Sequence, residues 1–111
     1  MDDNRIWLFD TTLRDGGQTR GVDFSQADKN AIATALDEIG VDYIEGGWPG
    51  ANPTDDAFFA SPPQTRNARM VAFGMTRRGG RSAANDPGLN AVLDAEVPAT
   101  CLVGKTWDFH V

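Results

Sequence analysis

The sequence predicts an α/β fold in which parallel strands alternate with covering helices. Three observations carry that prediction. Four short apolar runs begin near Ile6, Val41, Met70 and Ala99, at intervals close to the ~30 residues of a strand–helix–strand unit. Segments with helix-start chemistry fall between them. Polar and charged residues gather just after the runs, where parallel α/β folds collect their reactive groups.

Each element follows in order. Ile6-Trp7-Leu8-Phe9 reads as the first strand. Ser25-Gln26-Ala27-Asp28 reads as a helix start, with Ser25 as N-cap and Asp28 completing a capping box. Ala27, Ala31, Ile32, Ala35, Leu36 and Ile39 recur at helical spacing and predict one apolar face, and Gly40 is placed to stop the helix. Val41, Tyr43 and Ile44 predict the second strand, parallel to the first through a right-handed crossover. Asn52 caps a shorter helix, with Pro53 at its first position and Asp55-Asp56 at its positive end. Ala57, Phe58 and Phe59 supply its packing, and Ser61-Pro62-Pro63 ends it. Met70-Val71-Ala72-Phe73 suits a strand covered on both faces. Asp86-Pro87 starts a third helix with Leu89, Val92 and Leu93 as its face, and Cys101-Leu102-Val103 is the fourth strand.

Composition narrows the function classes. The chain has 111 residues, room for one domain, and a net charge of −6. That charge argues against non-specific nucleic-acid binding. A single cysteine, Cys101, rules out an internal disulfide framework. No apolar run approaches the ~20 residues of a membrane-spanning helix. Met1-Asp2-Asp3-Asn4 lacks the pattern of a signal peptide. The expectation is a cytoplasmic, acidic, globular chain.

The densest chemistry is Asp10-Thr11-Thr12-Leu13-Arg14-Asp15-Gly16-Gly17-Gln18-Thr19. An arginine and a carboxylate stand side by side where a strand ends, with glycines opening the loop. Such a layout suits a site in which Asp15 holds a cation and Arg14 faces negative charge developing on a substrate oxygen. The alternative is an Arg–Asp pair in an ordinary strand–loop turn. Glu45 ends the second strand, Thr76 and Arg77 follow the third, and Lys105 and His110 follow the fourth. Glu45, if inward, needs a partner, and Arg14 is the obvious one. Cys101 lies inside an apolar strand and reads as inert core rather than a nucleophile. Arg77, Arg78 and Arg81 read as a solvated basic loop, with contact to the phosphates of a ligand as the alternative. Trp48 and Trp107 read as packing anchors.

The opening string resembles the first strand of the pyruvate-carboxylase-like and isopropylmalate-synthase-like metal-dependent barrels, in which Asp-Thr-Thr-Leu-Arg-Asp-Gly, one variable residue and Gln form a signature. The segment 42–55, Asp-Tyr-Ile-Glu-Gly-Gly-Trp-Pro-Gly-Ala-Asn-Pro-Thr-Asp, is similar to the second-strand region of the citramalate-synthase branch. Segments 73–78 and 103–111 are similar to later parts of that branch. The resemblance implies the N-terminal half of a (β/α)8 TIM barrel over residues 1–111, about four parallel strands with three helices, since a full barrel takes roughly 250 residues.

It also implies an acyltransferase of the citramalate, isopropylmalate and homocitrate synthase group, joining acetyl-CoA to a 2-oxo acid, with pyruvate as the best substrate guess and isoleucine synthesis as the route. A metal-dependent aldolase or lyase of the same superfamily is the alternative. By resemblance, Asp15 ligates a divalent metal (Mn, Mg or Zn) together with a His-x-His pair absent from this sequence. Arg14 stabilises the oxyanion. Gln18, Glu45 and His110 stand near the substrate, a surface histidine being the plain alternative for His110. The missing His-x-His and later strands predict that the 111 residues alone are inactive. Half a barrel leaves two open sheet edges, which predicts self-association as a homodimer.

Overall fold

The structure is a computed structural model and describes residues 4–106. Its sheet holds four parallel strands, β1 (Phe9–Asp10), β2 (Tyr43–Gly47), β3 (Arg69–Met75) and β4 (Ala99–Val103), adjacent in chain order. Helices α1 (Gln26–Glu38), α2 (Pro53–Ala60) and α3 (Pro87–Asp94) form the crossovers, and short 3₁₀ turns cover Gly16–Gln18 and Ala83–Asn85. This is the predicted architecture of half a (β/α)8 barrel.

The first strand is shorter than its apolar run. Only Phe9 and Asp10 form ladder pairs, with Tyr43 and Ile44. Ile6, Trp7 and Leu8 are largely exposed at the sheet edge. The Asp42 carboxylate takes the Leu8 N–H at 2.8 Å and the Arg5 guanidinium at 2.6 Å, so a side chain holds the strand where a ladder would otherwise begin.

Helix α1 starts as predicted. Ser25 Oγ accepts from the Asp28 N–H at 3.1 Å, and Asp28 accepts from the Ser25 N–H at 3.0 Å. It ends in a Schellman pattern. The Gly40 N–H donates to the Asp37 carbonyl, the Val41 N–H donates to the Leu36 carbonyl, and Gly40 sits at φ +90°. The predicted apolar face is turned. Lys29, Ala33 and Asp37 are buried and Ile32 and Leu36 are half-buried, while Ala27, Ala31 and Ala35 are exposed and Ile39 is 76% exposed. Alanine tolerates either side of a helix, so the spacing of alanines misled the face assignment. Two charged residues with dedicated partners took the inner positions instead.

Helix α2 has its predicted cap, with Asn52 Oδ1 accepting from the Asp55 N–H at 2.8 Å. In α3, Asp86 Oδ1 accepts from Gly88 and Leu89, and Val92 is buried, but Leu93 is 72% exposed and lies off the packed face.

The core lies between the sheet and its helices. Ile44, Met70 and Ala72 pack with Ala33, Phe58, Phe59 and Val92. Strand residues alternate faces, so Glu45, Val71, Phe73 and Cys101 occupy the opposite side, where Glu45 pairs with Val71 and Phe73 with Cys101 in the ladders. The register shifts between Glu45 and Gly47, a bulge where the sheet meets the site.

Candidate functional site

The loop after β1 is built on its own backbone. The Arg14, Asp15 and Gly16 N–H groups all donate to the Thr11 carbonyl, at 3.2, 2.8 and 3.2 Å. Asp10 accepts from the Thr12 N–H at 2.8 Å and from Thr12 Oγ1 at 3.0 Å, so it shapes the loop rather than pairing with Arg14. Leu13 anchors the loop in the core at 2% exposure.

Arg14 is thereby directed over the open face of the sheet. Its Nε donates to Glu45 Oε1, and its Nη1 lies 3.0 Å from Asp15 Oδ1. Its guanidinium carbon stands 3.9 Å from the centre of the Phe73 ring. Glu45 is 1% exposed and Arg14 answers its charge. Removing one partner of such a buried pair costs about 3–5 kcal/mol. A guanidinium held at its edge by carboxylates and on its face by a ring has a defined orientation. Arg14, Asp15 and Glu45 are therefore brought together as the sequence suggested, and Arg14 meets Glu45 rather than Asp10.

Gln18 lies beside Arg14 in a cleft of about 110 Å³ whose other walls include Phe24, Trp48, Asn52 and Asp55. A wider cleft of about 400 Å³ shares Trp48 as a wall and reaches Thr76 and Arg78. Arg77, Arg78 and Arg81 are exposed, in keeping with a solvated loop. Burial pushes the Cys101 thiol above its ordinary pKa, and the Glu45 carboxylate beside it pushes the same way. The expected core position is not what the structure shows: Cys101 is half-buried on the sheet face opposite the core. His110 and Trp107 lie outside the described residues.

Sequence reasoning missed three contributors. Phe73 read only as strand core, although period-two alternation with the core residues Met70 and Ala72 places it on the opposite face. Lys29 lay outside the predicted apolar face of α1 and Asp55 read only as a helix-dipole charge, so neither pointed to a buried pair. Lys29 Nζ lies 2.5 Å from Asp55 Oδ1, and Asp55 Oδ2 accepts from the Trp48 N–H at 2.9 Å.

Among the described residues, no three His, Cys, Asp or Glu side chains stand together as a metal set. Asp15 is solvent-accessible but offers a single carboxylate, and Arg14 already engages it. A divalent cation needs several ligands, so the described residues do not make up a metal site.

The molecule is thus a parallel half-barrel with a carboxylate-clamped arginine after its first strand. The HMGL-like family model matches residues 5–100, and the chain belongs to that family. It is 48% identical to an (R)-citramalate synthase of Aquifex aeolicus over 96% of its length, and 51% identical to one of Streptomyces coelicolor over 98%. It is 35% identical to a probable 2-isopropylmalate synthase of Methanopyrus kandleri over 97% of its length. The chain spans about a fifth of the length of these relatives: 21% of the first two and 20% of the third.

Proposed function

We propose that these residues form part of an acyltransferase that condenses acetyl-CoA with a 2-oxo acid, and that the oxo acid is pyruvate, giving citramalate. The observation that carries this reading is the higher identity to the citramalate synthases than to the isopropylmalate synthase when each is compared over nearly the whole chain. In this reading a base takes a proton from the acetyl methyl group, and the resulting enolate carbon attacks the keto carbon of the oxo acid. The keto oxygen receives the electron pair and becomes an alkoxide. Arg14, preoriented by Glu45 and Phe73, donates to that oxygen. Water then cleaves the thioester and releases coenzyme A. Gln18 lines the substrate cleft, Glu45 holds Arg14 beside it, and His110 stands near the oxo acid's carboxylate or the thioester. Asp15 is one donor to a divalent metal (Mn, Mg or Zn). The enzyme is cytoplasmic and dimeric in this proposal, and among the described residues no helix is long and apolar enough to cross a membrane.

The test is release of free thiol from acetyl-CoA in the presence of manganese, with pyruvate and with a branched 2-oxo acid supplied separately. Pyruvate-dependent release supports the proposal. Release only with the branched acid would assign the isopropylmalate-type reaction, and carbon–carbon cleavage of a hydroxy acid would assign a lyase.

A second reading concerns the 111 residues alone. Strands β1 and β4 each have one neighbour in the sheet, and apolar side chains are exposed beside both, Trp7 and Phe9 on one side and Leu93, Leu102 and Val103 on the other. That exposure supports an inactive half-barrel that associates with a second copy through its edges.

A further inference from the structure

We propose that the buried Lys29–Asp55 ion pair positions the Arg14 guanidinium, acting through Trp48 and Phe73. Each link is a direct contact. Lys29 leaves the inner face of α1 at 2% exposure, and its ammonium meets Asp55 Oδ1 at 2.5 Å. The other Asp55 oxygen holds the Trp48 N–H at 2.9 Å. The Trp48 ring packs edge-on against Phe73 at 5.1 Å between centroids, and Phe73 carries the Arg14 guanidinium on its face at 3.9 Å.

The fit at the centre of this chain is close. A Cβ on Gly47 would stand 2.7 Å from Asp55 Cγ, so the backbone before Trp48 lies directly against the carboxylate. The ammonium also approaches the Phe58 ring, at 5.2 Å, which ties the pair to the core beneath. Burying a lysine is costly unless its charge is answered. Here the cost secures the β2–α2 loop, which is one wall of the cleft beside Arg14 and Gln18.

The position along α1 separates this pair from a purely structural one. Helix α1 runs from the carboxyl ends of the strands to their amino ends. Lys29, in its first turns, serves the rim that carries Arg14. Asp37, two turns later, takes the Arg66, Asn67 and Ala68 N–H groups at 2.9, 2.8 and 2.8 Å on the loop entering β3, at the far end of the sheet. The same helix face thus carries one charged brace for each end of the molecule, and Asp37 is the internal control.

The experiment is nitrogen-resolved NMR of the Arg14 Nε–H in the 111-residue chain, beside Lys29→Met, Asp55→Asn and Asp37→Asn. The hydrogen bond to Glu45 and the stacking on Phe73 together set the Arg14 Nε–H resonance apart from that of an exposed arginine such as Arg20. The expected result is that Lys29→Met and Asp55→Asn move or broaden the Arg14 signal toward the exposed position, while Asp37→Asn lowers thermal stability and leaves it in place. Asp55→Asn retains an acceptor for Trp48 and so keeps the test open if Lys29→Met fails to fold. An Arg14 signal unchanged in the pair variants, or displaced equally by Asp37→Asn, overturns the proposal.

The catalytic consequence rests on the acyltransferase reading. In an active enzyme the pair variants lower kcat by about threefold to thirtyfold with KM little changed. Because the NMR result does not depend on turnover, the predicted spectra together with no thiol release by the complete enzyme would sink the acyltransferase reading and leave the positioning role standing.

Discussion

Arg14 is oriented by two neighbours, one at the edge of its guanidinium and one on its face. A lone Arg-Asp-Gly is common in strand–loop turns. What distinguishes this arginine is that Glu45, itself 1% exposed, and Phe73 define the edge and face of its guanidinium. A lysine at position 14 would keep the charge but lose both the planar fork and the stacking. Arg14→Lys is therefore expected to reduce kcat in the thiol-release assay by about 10²–10³-fold, the scale of removing an oxyanion donor. Activity within a factor of two of the parent would remove Arg14 from the proposed role. The Arg14–Glu45 pairing was legible in the sequence, because a carboxylate at the end of an inward strand demands a cation. Phe73 was not, because a ring that packs and a ring that supports a guanidinium look alike until the opposite face of the sheet is seen.

At the scale of single elements, caps were the most legible features and helix faces the least. Ser25, Asn52 and Asp86 all cap as predicted, since a cap depends on a few consecutive residues. Ser25→Ala should cost about 1 kcal/mol, measured as a fall in the denaturant midpoint at constant slope. The face of α1 was misassigned because its alanines carry no sidedness, while Lys29 and Asp37 were buried by partners distant in the chain. Asp37 has a pH signature. Backbone hydrogen bonding, led by the Arg66 N–H, holds its carboxyl below the ordinary value of 3.8, against the opposing effect of burial. A depressed pKa contributes stability that is fully present above the ordinary value and is lost as pH falls through the folded one. The melting temperature should therefore decline as pH drops below about 4. Asp37→Asn should melt about 5 °C or more lower near neutrality, with a shallower decline into acid. A profile for the Asp37→Asn variant that runs parallel to the parent's would show that other carboxylates carry the acid sensitivity.

At the scale of the whole molecule, the sheet presents apolar side chains at both edges. Ile6 is 81% exposed beside β1, and Leu102 is 48% exposed on β4. Patches of this kind are normally covered. Light scattering after gel filtration is expected to give twice the chain mass for the 111 residues alone. Trp7→Asp combined with Leu102→Asp, one charge for each edge, should shift the population to monomer without altering the cap and core contacts. A monomeric parent at high concentration would exclude self-pairing.

The sequence by itself determined the order and type of the strands and helices, the caps that begin the helices and the string that carries Arg14 and Asp15, because each depends on neighbours within a few residues or on a repeated spacing. Tertiary structure alone decided which face of α1 turns inward, how little of the first apolar run joins the sheet, and that Lys29, Asp55, Trp48 and Phe73 form a contiguous path to Arg14. Those outcomes depend on which charges find partners across 26 or more positions of chain and on which face of the sheet the helices cover. Neither is written in local pattern.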